Sequence, residues 1–221
     1  MEHVETLSHS QAQTLVTNRL IRNTYTLLAL TLAFSAAMAG VSMVTSVPPV
    51  SLWVFLAGFY GLLFLTTKFR NSSMGIVCVF AFTGFMGFTL GPILSLRLAE
   101  QNGPQVVMQA LGGTAFIFFA LSAYAFISRK DFSFMGSFLF AGLLVAFLSG
   151  LAALFVGIPT LHLAVSAAFI LLSSGVILYQ TSAIIHGVET NYIMATVTLY
   201  VALYNIFIGL LNLLSALNGN K

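Results

Sequence analysis

Seven long apolar stretches run through the chain, and none of its Asp, Glu, Lys or Arg residues falls inside them. They lie at Tyr25–Val44, Val50–Thr67, Gly75–Leu94, Val106–Ile127, Phe134–Phe155, Leu161–Ile185 and Tyr192–Leu217. At 1.5 Å of rise per helical residue, about 20 residues cross a hydrocarbon core of about 30 Å. Lipid offers no partner to a backbone N–H or C=O, so each run must satisfy its own backbone as a helix. A membrane β-barrel would instead alternate apolar and polar residues over segments of about 10. The expectation is an all-α integral membrane protein, a bundle of seven transmembrane helices. Composition agrees: 6% of the residues are charged, against about 25% in a soluble domain, too few to coat a fold in water.

The connections carry breakers and charges: Pro48-Pro49, Lys68 to Asn71, Gly103-Pro104, Arg129-Lys130-Asp131, Gly157-Ile158-Pro159 and His186-Gly187. They are short, so sequential helices should run antiparallel within one unit. Two regions follow: a mostly polar N-terminal tail, 1–23, and a single seven-helix membrane domain, 24–221. The tail lacks the early apolar run of a signal peptide and is expected to persist in the mature protein. Arg19, Arg22, Lys68, Arg70, Arg129 and Lys130 fall on the side of the N-terminus, whereas Arg97 and Lys221 fall opposite. Basic residues are retained in the cytoplasm, so the N-terminus is expected there and the C-terminus in the periplasm. The net charge of +3 has this use and not nucleic-acid binding. No basic run exceeds two residues, and a phosphate backbone needs a longer patch.

Intramembrane charges usually mark ion paths or proton relays, and the spans have none. The chain also lacks the H-E-x-x-H, G-x-S-x-G and P-loop patterns. No catalytic residue, metal centre or cofactor is expected. Cys78, without a basic neighbour, is expected to be a small apolar residue. The sixth span places His162, Ser166, Ser173 and Gln180 on one helical face, and the seventh places Thr198, Ala202, Asn205, Gly209 and Asn212 in a small and polar seam. Such a seam turns inward, either as interhelical glue or as the lining of a hydrated cavity. Gly87 and Gly91 form a G-x-x-x-G pair suited to close packing.

The third span ends in Gly87-Phe88-Thr89-Leu90-Gly91-Pro92-Ile93-Leu94. After it come Ala110 to Ala115, His186-Gly187 with Glu189 to Ile193, and Leu203-Tyr204-Asn205-Ile206-Phe207. In order and spacing these runs resemble the Bax inhibitor-1 (TMBIM) family across almost the whole chain. The resemblance implies a central helix wrapped by the others, and location in the bacterial inner membrane. For bacterial members it implies a partner, the membrane AAA protease FtsH, alone or with HflK and HflC. The member is then both a slow substrate drawn in by its tail and a modulator of the protease. Other members behave as pH-sensitive calcium leaks gated by an acidic pair. Those gate positions fall on Gln180 and Ala202, neither acidic, so calcium conduction is the alternative and not the leading expectation.

Overall fold

The computed structural model describes residues 2–156 and 159–219, and side chains over 15–153 and 160–218. Its helices are α1 (Glu2–Val44), α2 (Leu52–Phe69), α3 (Ser73–Leu98), α4 (Gly103–Ser128), α5 (Gly136–Val156), α6 (Pro159–Ile185) and α7 (Tyr192–Gly219), with a short 3-10 turn at Ser133–Met135 before α5. All seven are long and apolar enough to cross a membrane. The expected all-α, seven-span architecture is therefore present. Gly157, Ile158 and Lys221 lie outside the described residues.

Local chemistry sets the helix ends. The Ser51 hydroxyl accepts the Val54 N–H at the start of α2, and Asn191 Oδ1 accepts the Met194 N–H at the start of α7. Helix α6 ends where Gly187 takes φ +71°. Its N–H bonds the Ile184 carbonyl while the Val188 N–H bonds that of Ala183, a closure that a left-handed glycine permits. Two boundaries differ from expectation. Helix α3 continues through Pro92 to Leu98. Helix α1 runs unbroken from Glu2 to Val44, 43 residues. That exceeds the about 20 needed to cross, which leaves room for the exposed Arg19 and Arg22 at the margin.

Helix α7 is the axis, touching α1, α2, α3, α4 and α6. Helices α3 and α7 are the most enclosed spans, and α2 and α5 the least. Phe82, Ile177, Leu199, Tyr200, Leu203 and Ile206 form the main core around this axis. Helix α3 presses onto α1 through glycines. A Cβ on Gly87 would fall on the Ser35 carbonyl, and one on Gly91 would lie 2.9 Å from the Ala39 carbonyl. The absence of side chains at these two positions is what permits the approach.

Contacts between turns show which loops share a face. Asn191 Nδ2 donates to the Arg70 carbonyl (2.9 Å) and to Asn71 Oδ1 (2.8 Å), joining the α6–α7 and α2–α3 turns. The Ser182 hydroxyl donates to the Lys130 carbonyl and accepts the Phe132 N–H, fastening the α4–α5 turn to the same end of α6. Within that turn the Ser133 N–H, bonded to Asp131, holds the Asp131 carboxyl below its ordinary pKa, helped by the Ser133 side chain and His186. A lowered carboxylate pKa stabilises the fold above the ordinary value and is lost as pH falls through the lowered one. This anchor is therefore complete at neutral pH.

Candidate functional site

Among the described residues the buried polar side chains are hydroxyls and an amide, and with the part-exposed Arg97 several of them form three clusters around α7. The first centres on Tyr200, buried in the core. Its hydroxyl donates to the Thr83 carbonyl of α3 (3.2 Å) and lies 2.6 Å from Ser35 Oγ of α1. With the tyrosine proton committed to Thr83, Ser35 is the donor of the shorter bond. One side chain thus ties three helices. Buried membrane hydrogen bonds contribute about 0.6 kcal/mol on average and up to about 1.7. Tyr200→Phe is accordingly expected to lower stability by about 1 kcal/mol in reversible detergent unfolding, without loss of the fold. No change would remove Tyr200 as a tie.

The second cluster lies toward the end where α1 enters the bundle. Tyr25 donates to Ser122 of α4 (3.2 Å) and lies 3.3 Å from Thr181 of α6. The Thr196 hydroxyl of α7 donates to the Tyr192 carbonyl of its own helix (2.7 Å) and shares that proton with the Thr24 carbonyl of α1 (3.2 Å). Beside Thr181, Gln180 is buried, and its Nε2 has no hydrogen-bond partner; the hydroxyls of Thr24 and Ser173 are in the same condition. Buried donors without partners cost about 1–3 kcal/mol each, so these groups are suited to ordered water.

The third cluster closes the opposite end. Arg97 donates to Glu100 (2.8 Å) and to Asn212 Oδ1 (3.1 Å). Asn212 Nδ2 donates in turn to Ser166 Oγ (3.3 Å), and Ser166 donates to the His162 carbonyl (2.9 Å). This chain links α3, α7 and α6. Arg97 remains part-exposed.

On α6, Ser166, Ser173 and Gln180 are buried, whereas His162 is exposed. On α7, Ala202 and Gly209 are buried, and Thr198, Asn205 and Asn212 are half-buried. The structure brings Ser166 and Asn212 together, and a Cβ on Gly209 would lie 2.9 Å from the Ser166 carbonyl. His162 and His186, near opposite ends of α6, are not brought together. Cys78 is half-buried in α3. Among the described residues no three His, Cys, Asp or Glu side chains gather as metal ligands. Lys68 lies 5.8 Å from the Phe69 ring, and Arg70, Arg129 and Lys130 are exposed on the loop face. Sequence reasoning missed Tyr200, Tyr25, Ser35, Thr83 and Ser122. Their signal was a hydroxyl inside an apolar run, too common to single out without knowing which helices meet.

The geometry defines a class: a seven-helix membrane protein built around an enclosed terminal helix, with an apolar core whose buried polar side chains, among the described residues, are hydroxyls and an amide. The family described as "Inhibitor of apoptosis-promoting Bax1" matches residues 17–219, and the chain belongs to it. It is 53% identical over 214 residues, 97% of each chain, to a protein of Escherichia coli K12 named "Modulator of FtsH protease YccA". The match is equal to a protein of Escherichia coli O6:H1 named "Inner membrane protein YccA". It is 52% identical over 200 residues, 90% of each chain, to an uncharacterized protein of Pseudomonas aeruginosa. The chain is a multi-pass protein of the inner membrane.

Proposed function

We propose that the chain is a non-enzymatic modulator, and a slow substrate, of the membrane AAA protease FtsH in membrane-protein quality control. The observation that carries this reading is the 53% identity, over 97% of both chains, to the protein named as modulator of that protease. The fold supplies a physical route. An ATPase that grips the tail must draw seven apolar spans out of lipid, each held by the burial of apolar surface. Such a client occupies the machine for a long time, which makes a substrate into a restraint. In this reading 1–23 is a cytoplasmic tail ahead of the 24–221 membrane domain. The N-terminus is cytoplasmic and the C-terminus periplasmic, because Arg19, Arg22, Lys68, Arg70, Arg129 and Lys130 share the loop face. HflK and HflC are candidate members of the same assembly.

A second reading, a cation leak, draws support from the buried and unpartnered Gln180 Nε2 and Ser173 hydroxyl. With Ser166, Thr198, Asn205 and Asn212, and His162 at the mouth, these groups could line a hydrated path. Calcium favours carboxylate ligands, and the positions corresponding to the family's acidic gate hold Gln180 and Ala202. Neither can titrate, which favours the modulator.

Tagged protein extracted in mild detergent is expected to retain FtsH, and its overproduction to slow the turnover of other FtsH substrates. In liposomes calcium flux should be small and flat across about pH 6–8, the range in which an ordinary histidine changes charge. Absence of FtsH from the eluate, with an acid-stimulated flux that survives His162→Ala, would transfer the assignment to the leak.

A further inference from the structure

The loop face holds a cavity of about 400 Å³. Arg70, Asn71, Ser72 and Ser73 of the α2–α3 turn line one wall, and Asn191 and Tyr192 of the α6–α7 turn the other. The two walls are clasped by the bonds from Asn191 Nδ2 to the Arg70 carbonyl and Asn71 Oδ1. No carboxylate lines the cavity. The Glu189 carboxylate accepts the Asn191 N–H instead (2.8 Å). Arg70 makes its only described hydrogen bond through its backbone carbonyl. The lining is therefore mixed, Arg70 with hydroxyl- and amide-bearing residues beside the apolar Ile76, at the edge of the apolar spans and on the face that carries the basic residues.

We propose that this cavity binds a phosphate group, held by Arg70 with help from the Ser73 hydroxyl and the Asn71 Nδ2 amide, the Ser72 hydroxyl being committed to the Phe69 carbonyl. Arginine's planar fork suits two phosphate oxygens at once. The opening of α3 at Ser73 adds positive potential on the same side. The position fits two sources of the same chemistry: the headgroup of an anionic phospholipid in the adjoining leaflet, or a free phosphate from the cytoplasm. The site is independent of the protease reading, since it needs no partner protein.

The test is native mass spectrometry of the full-length protein released from detergent, titrated in separate arms with phosphatidylglycerol, phosphatidylcholine and inorganic phosphate. Wild type is compared with Arg70→Gln and with Arg129→Gln, a control elsewhere on the same face. Both arginines are exposed, and an unchanged helical circular-dichroism spectrum verifies each fold. A saturable first adduct with phosphatidylglycerol, weakened about tenfold in Arg70→Gln and unchanged in Arg129→Gln, supports the site and assigns it to lipid. The same pattern with inorganic phosphate alone supports the site and assigns it to a soluble ligand. Equal binding by wild type and Arg70→Gln, equal weakening in both variants, or no saturable adduct in any arm overturns it.

Discussion

Gly87→Val is expected to leave little folded protein in the membrane, whereas Gly112→Val should be close to neutral. Both sites are glycines inside predicted spans, and both sit near residues of similar hydropathy. The difference is what a side chain would meet. At Gly87 the first added carbon falls on the Ser35 carbonyl, which belongs to the backbone of α1 and cannot rotate away. At Gly112 nothing lies within 4 Å, so the new side chain enters lipid. Overpacking a fitted contact costs about 1–3 kcal/mol, and more where backbone must shift. Membership of the α1–α3 contact raises the cost further. Separating the helices would also pull Ser35 from Tyr200 and break the tie among α1, α3 and α7. With a total stability of about 5–15 kcal/mol, the loss is a large fraction of the whole. The folded fraction on size exclusion and the midpoint of detergent unfolding measure it. Equal behaviour of the two variants would refute the α1–α3 packing described above.

Deleting residues 2–18, with Arg19 and Arg22 kept for orientation, should lengthen the protein's lifetime several-fold in cells that contain FtsH and have no effect in cells depleted of it. Helix α1 is continuous from Glu2 into the membrane. As a helix, the 23-residue tail region spans about 35 Å; drawn out, it reaches about 75 Å, so an unfolding ATPase gains a longer handle as it pulls. Without the handle the spans should still engage the protease, and the truncated protein in excess should continue to slow the turnover of other substrates. Pulse-chase labelling reads both effects. Equal decay of truncated and full-length proteins, with neither retaining FtsH, would end the modulator reading.

The two predictions draw on different kinds of knowledge. The tail follows from composition, since a polar segment ahead of seven apolar runs is visible along the chain. The Gly87 clash does not. Gly87-x-x-x-Gly91 marks a face that can pack closely, but many helix faces in so apolar a chain carry small residues. Gly112 would pass the same inspection, and only the fold shows that it faces outward. The small and polar seam of α7 behaves likewise. Its spacing puts Ala202, Asn205, Gly209 and Asn212 on one side of a helix. The partner of Asn212, an arginine 115 positions earlier in the chain, cannot be found from spacing.

The boundaries show the same division. The start of α7 at Tyr192 was legible, whereas α2 begins two residues after the expected Val50, where the Ser51 hydroxyl accepts the Val54 N–H. The extension of α3 past Leu94 was not legible. Ser95 to Leu98 follow the apolar run and include Arg97, so hydropathy ends the span where the helix itself goes on. What the sequence determined by itself is the number and kind of elements, because in lipid an apolar run of sufficient length has one way to satisfy its backbone. It also determined the resemblance that carries the functional proposal, since this depends on which residues stand in which order. The tertiary structure alone decided which polar groups meet, at Tyr200, at Tyr25 and at Arg97, and which glycines are pressed against backbone. Before the helices meet, lipid offers every span the same apolar surroundings. The choice of neighbour therefore rests on close fit and on a few hydrogen bonds between residues far apart in the chain, which no local pattern records.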